Sequence, residues 1–294
     1  MKSRKFLLGA ALVLASLMAQ QAVAAIAFSF TNSSIRNSKH DLSSSSTTTG
    51  PKAASTAAAA DEVCVFCHTP HGADFAKGPL WNRGGTTTIT NAYSNPDTMD
   101  SAVLASFATS SAACMTCHDG STALDNLINA SGSGGYTAGG VSRNYGAAGA
   151  TMGPIAAGVT AITGDLRDDH PIGVAYCGGF LGGTGGCVDS DFVVAANSGQ
   201  TVAALVKNGT AGATAAVNST VATDKYWIDT DGTTTSRSKQ DLTLFVRAFT
   251  QTVNSGNQPA VECASCHDVH NSGNGTFLRV SNLKSALCFA CHNK

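Results

Sequence analysis

Val261-Glu-Cys-Ala-Ser-Cys-His-Asp-Val-His-Asn271 sets two thiols three residues apart, puts an imidazole directly after the second, and adds another imidazole three residues later. The core of that pattern, C-x-x-C-H, occurs four times: Cys64-Cys67-His68, Cys114-Cys117-His118, Cys263-Cys266-His267 and Cys288-Cys291-His292. At this chain's frequencies of Cys and His, roughly 0.01 such matches arise by chance, so four are not accidental. Two thiols at this spacing reach the two vinyl groups of one porphyrin as thioethers, and the next residue swings its imidazole onto the iron. The expected cofactors are therefore four haem c groups, with His68, His118, His267 and His292 as proximal ligands. A zinc site and a C-x-x-C redox pair are the competing readings, and the four-fold spacing with its His decides against them.

The chain has eight His, and the motifs use four of them. His40, His71, His170 and His270 remain for four sixth positions, so supply equals demand. Every iron is then expected to be bis-histidine ligated, low-spin and closed to exogenous ligand, which suits electron transfer and opposes substrate chemistry on iron. No enzymatic activity is expected. Met99, Met115 and Met152 are the available replacement ligands. His71 and His270 follow His68 and His267 by three residues, so each emerges on the same side of its own haem and is expected to reach the iron of a neighbouring one.

Composition explains why haem would form the core. Charged residues make up 13% and aromatic residues 6%, while Gly, Ala, Ser and Thr crowd every stretch between motifs. Large apolar side chains are scarce, and porphyrins are flat apolar bodies whose burial can substitute for them. The expected fold is mostly irregular, with short α-helices at the haem motifs and a few short β-strands.

Lys2, Arg4 and Lys5 precede an apolar run from Phe6 to Met18 and the small-residue site Ala22-Val23-Ala24, so residues 1–24 read as a secretory signal peptide. The run is shorter than the roughly 20 residues of a spanning helix, and no membrane span is expected. Removing the three signal-peptide cations from a net charge of −1 leaves −4, which offers nothing to nucleic acid. Residues 25–60 form a polar arm with no core of its own, including Ser43-Ser44-Ser45-Ser46-Thr47-Thr48-Thr49-Gly50. The haem domain spans 61–294, with motif pairs in 61–125 and 261–294 around a Gly/Ala/Thr-rich insert, 126–260.

Most of that insert reads as loop. Helical turns are expected at the motifs and near Asp241 to Thr250, where Leu242, Leu244, Phe245 and Phe249 recur with mixed spacing; Asp191 to Ala195 and Thr223 to Ile228 read as short strands. Cys177 and Cys187 lie outside the motifs and are expected to form a disulfide in an oxidising compartment, two free thiols being the other reading.

Long stretches resemble exported multihaem cytochromes with the doubled C-x-x-C-H arrangement, especially the tetrahaem cytochromes that polymerise into extracellular conductive filaments. They are Cys64-Val-Phe-Cys-His-Thr-Pro-His71 with Pro79-Leu-Trp-Asn-Arg83, Cys114-Met-Thr-Cys-His-Asp-Gly120, Asp169-His-Pro-Ile-Gly173, Phe277-Leu-Arg-Val-Ser-Asn282, Ser285-Ala-Leu-Cys-Phe-Ala-Cys-His292 and the stretch quoted first. The resemblance implies that His40, His71, His170 and His270 are distal ligands, that the haems stack in a continuous chain, and that one haem takes a His from the adjacent subunit. The arm is long enough for His40 to be that donor, making the protein a homopolymer, secreted to the cell surface or beyond, that passes electrons to other redox proteins or external acceptors. A monomeric periplasmic carrier and a multihaem reductase with one open iron are the alternatives. Intact-mass measurement of the exported protein is expected to show a chain beginning at Ala25 with four haem additions, and three when Cys263 and Cys266 are both changed to Ala.

Overall fold

The computed structural model describes residues 28, 33–54, 60–85, 93, 103–104, 106–132, 135–156, 161–162, 165–167, 169–180, 187–194, 204–211, 222–250 and 256–293. Residues 1–24, read above as a signal peptide, lie outside the described residues. Among them, α-helix is confined to the motifs: α1 (Thr109–His118) carries the second, α2 (Cys263–Cys266) the third and α3 (Ala286–Cys291) the fourth. The first motif opens on a single 3-10 turn, Cys64–Phe66. His267 and His292 have extended backbone, φ −105° and −110°, immediately after their helices. This turns each imidazole away from the helix that carries its two cysteines.

The insert holds more sheet than its composition suggests. Strands β1 (Asn126–Asn129) and β2 (Tyr136–Ser142) pair antiparallel. Strands β3 (Val174–Ala175), β4 (Ala204–Lys207), β5 (Thr210–Ala211), β6 (Tyr226–Asp229), β7 (Leu242–Phe249) and β8 (Gly256–Val261) form a second sheet in the order β3-β8-β7-β6-β4-β5, every neighbour antiparallel. The helical turns expected over Asp241 to Thr250 are therefore corrected to strand β7. Leu242, Leu244 and Val246 point to one face and enter one apolar cluster, a period of two that the adjacent Phe245 obscures in sequence. Thr223 to Ile228 contributes β6 from Tyr226 onward, whereas Asp191 to Val194 forms no strand; there Phe192 makes an isolated bridge to His292.

Two apolar clusters seat the two ends of the haem-bearing chain. Leu205, Tyr226, Ile228, Leu242 and Leu244 of the sheet pack with Val280 and Ala290, and Leu287 and Cys291 of α3 lie against them. Leu42, Ala53 and Ala60 of the arm pack with Phe66, Leu124, Leu127 and Tyr145, beside Cys67 and Cys117. The arm thus borrows the core of the first two motifs. The backbone of Ala53 bonds to Leu42 and that of Ala54 to Tyr145. Close backbone approach needs glycine at one point: a Cβ on Gly84 would meet the Gly139 carbonyl oxygen at 1.8 Å, so no side chain fits where the chain after the first motif crosses β2.

Cys177 Sγ lies 2.04 Å from Cys187 Sγ. The residues just beyond this link bond to the fourth motif. Val193 N–H donates to Cys291 O at 2.9 Å, Asn293 N–H to Asp191 O at 2.7 Å, and the Tyr176 hydroxyl to Val193 O at 2.7 Å. Cys177→Ser is expected to lower the free energy of unfolding by about 3 kcal/mol, the chain-entropy value for closing a short loop. Denaturant titration with and without reductant checks it: wild type in reductant should coincide with the variant.

Candidate haem-ligation site

The first and third motifs are built as one structural repeat. His68 Nδ1 lies 3.2 Å from Pro79 O, and His267 Nδ1 lies 2.8 Å from Thr276 O. Thr69 N–H donates to Leu80 O and Asp268 N–H to Phe277 O; Asn82 N–H donates to Cys67 O and Arg279 N–H to Cys266 O. Short bridges join His68 to Trp81 and His267 to Leu278. Leu80 and Phe277, at the same place in the two copies, have φ of 55° and 59°. Non-glycine residues avoid that region unless their surroundings impose it, and here the turn aims a carbonyl at the histidine. Because a carbonyl only accepts, Nδ1 must carry the hydrogen, which leaves the Nε2 lone pair free for a metal.

The distal candidates divide into two groups. The rings of His68 and His270 have centroids 6.1 Å apart with planes 14° apart, and those of His118 and His40 have centroids 6.1 Å apart with planes 74° apart. A metal-bound imidazole nitrogen sits roughly 2 Å from the metal, with the ring centroid about 1 Å further out, so two rings across one iron have centroids ~6 Å apart. Both pairs fit a haem iron on this measure. His40 also stacks on Phe277 at 4.1 Å, so the turn that holds His267 positions His40 as well. Burial, with the nearby His118, pushes His40 down to about 4; burial lowers His267 too, and both rings are neutral at pH 7, the state in which imidazole ligates metal.

The ring expected to leave for a neighbouring copy therefore stands against His118 of its own chain. His71 and His170 are exposed. Thr69 Oγ1 and Asn129 Nδ2 donate to the His71 carbonyl at 3.1 and 2.7 Å, and the Tyr93 hydroxyl donates to the His170 carbonyl at 3.1 Å. His292 packs its ring 4.4 Å from that of Phe192.

The eight motif cysteines form no disulfide. Burial pushes Cys67 up to about 12, helped by neighbouring Cys117, and pushes Cys266 up to about 11. Burial raises Cys291 as well.

Sequence reading passed over the residues that tie the first two motifs together. Arg83 is fully buried and spends its guanidinium on backbone carbonyls: Nη1 donates to Leu124 O at 2.5 Å and Phe66 O at 3.4 Å, and Nη2 to Thr116 O at 3.1 Å and Ala123 O at 2.9 Å. Phe66 belongs to the first motif and Thr116 to the second. The signal was present in Pro79-Leu-Trp-Asn-Arg83, but a lone Arg names no partner until the fold supplies one.

Residues 256–294 match the family model described as a doubled CXXCH motif. No curated protein matches the chain. The motif implies covalently bound haem c and export from the cytoplasm, and it is consistent with a multihaem c-type cytochrome in electron transfer. No helix among the described residues is long and apolar enough to cross a membrane.

Arg83→Lys keeps the charge but offers three donors on one atom, which cannot reach carbonyls spread around a planar fork. A loss of about 3 kcal/mol is expected from the buried carbonyls left unpaired, read as a shift of the denaturant midpoint.

Proposed function

We propose that this protein is a tetrahaem electron conduit with a haem-filled core, in which every iron takes two histidines. The observation that carries the reading is the pair of 6.1 Å histidine spacings, each joining a motif histidine to a non-motif one. Bound haem c would supply reversible one-electron chemistry at low potential under bis-imidazole ligation. The chain's own residues hold and shield it: cysteines of the four motifs anchor it, His68 with His270 and His118 with His40 face one another across it, and His71 and His170 are left for the irons of His267 and His292. Nothing in this arrangement requires an open coordination position, so the reading is a carrier rather than a reductase.

For assembly we propose a secreted homopolymer, on the resemblance to filament-forming cytochromes. The packing of the arm bears on how copies would join. His40, Leu42 and Ala53 travel on one arm, and exchanging that arm between identical copies would form the same His40–His118 contact across an interface at little cost, as in domain swapping. The exposed rings of His71 and His170 offer a second route. A monomeric periplasmic carrier is the competing reading, favoured by the arm's packing on its own chain.

Near-parallel imidazole planes split the iron π-symmetry orbitals, and near-perpendicular planes leave them almost degenerate. Low-temperature EPR of the oxidised protein is expected to show one rhombic low-spin signal from the His68–His270 site and one highly anisotropic low-spin signal from the His118–His40 site. His270→Ala should abolish the first and His40→Ala the second, each leaving one high-spin, carbon monoxide-reactive haem per chain. A whole high-spin haem in the wild type overturns the reading. Electron microscopy of the secreted fraction decides assembly: His40→Ala should remove filaments if the arm is exchanged.

A further inference from the structure

The second and third motifs are separated by residues 119–262 in sequence, yet they meet. Cys263 N–H donates to Ser111 Oγ at 3.1 Å. Between α1 and α2 lies Glu262, 1% exposed. Its carboxylate accepts from Ser111 Oγ at 2.5 Å and from the Ser265 N–H within α2, while Ser265 Oγ accepts the Glu262 N–H at 3.0 Å. One carboxylate therefore caps α2 and ties it to the Ser111 hydroxyl in the first turn of α1. Arg247 of β7 completes the junction. Its Nη1 pairs with Glu262 Oε1, and its Nη2 donates to Ser106 O at 3.0 Å, ahead of α1.

We infer that Glu262, with Ser111 and Arg247, is the positioning group that sets the separation of the second and third haems and so joins the two sequence pairs into one conducting path. The inference rests on the electron-transfer reading. Cys67 and Cys117 lie against one apolar cluster, Ser111 of α1 accepts the Cys263 N–H, and Arg279 N–H donates to Cys266 O while the adjacent Val280 packs with Ala290 of α3, so the motifs run in sequence order through this junction. The insert gains a role in this scheme. Its strand β7 carries the arginine, and its strand β8 delivers Glu262.

The test uses full-length holoprotein, and haem content is measured first. Four low-spin haems in the wild type are required by the electron-transfer reading, and their absence would defeat that reading whatever the junction does. Glu262→Gln keeps the size but turns an amide nitrogen toward groups that are themselves donors. With four low-spin haems retained, its Soret circular-dichroism couplet, which reports dipolar coupling between neighbouring haems, should lose much of its amplitude, and potentiometric titration should show the two central potentials shifted. Asp241→Asn, a buried change just ahead of β7 with no bond to Glu262, Ser111 or Arg247, should lower stability and leave the couplet unchanged. If Glu262→Gln does not fold, Ser111→Ala removes one bond to the carboxylate and the acceptor of Cys263 N–H, and should weaken the couplet in the same direction. An unaltered couplet and unaltered potentials in a folded four-haem variant would overturn the proposal, as would an Asp241→Asn couplet as weak as that of Glu262→Gln.

Discussion

Two imidazoles facing one another with centroids 6.1 Å apart, from residues as distant in sequence as His68 and His270, demand a scaffold that tolerates little drift. The other devices of the fold serve that demand. A carbonyl acceptor holds each of His68 and His267 with Nε2 free, a positive-φ turn presents each carbonyl, and short bridges lock the turn to its motif. The same turn in the third motif carries Phe277, whose ring lies on His40, so the placing of His267 and that of His40 are mechanically linked.

With few large apolar residues, rigidity comes largely from buried polar groups whose partners are provided. Arg83 binds four carbonyls where the first two motifs meet, only its Nε lacking a partner, and Asp241 accepts the N–H groups of Thr230 and Ser238 just ahead of β7. Glu262 is capped by groups from both central motifs. Such groups are costly unless satisfied, and once satisfied they specify one arrangement more narrowly than interchangeable methyl groups could. The apolar clusters do a different task, seating the first pair of motifs on the arm and the fourth motif on the sheet.

The insert shows how composition can hide architecture. Its Gly, Ala, Ser and Thr read as loop, and much of it is loop, but Leu242, Leu244 and Val246 alternate onto one face of β7 while Phe245 interrupts the pattern by eye. In the arm, Leu42, Ala53 and Ala60 are too sparse to suggest a core; they acquire one only because Phe66, Leu127 and Tyr145 lie where they can cover them.

By itself the sequence determined the covalent chemistry: thioether spacing is a property of three consecutive peptide units, so the motifs are readable wherever they fall. It also set the histidine supply, since residues can be counted without a fold. Which histidine faces which was decided only by tertiary structure, because His40 with His118 and His68 with His270 are joined through space by turns and contacts that no local spacing encodes. The Glu262 junction belongs there too. A glutamate before a C-x-x-C-H is unremarkable in a string of letters, and becomes a tie between two helices only when the chain from 119 to 262 returns one motif to the side of the other.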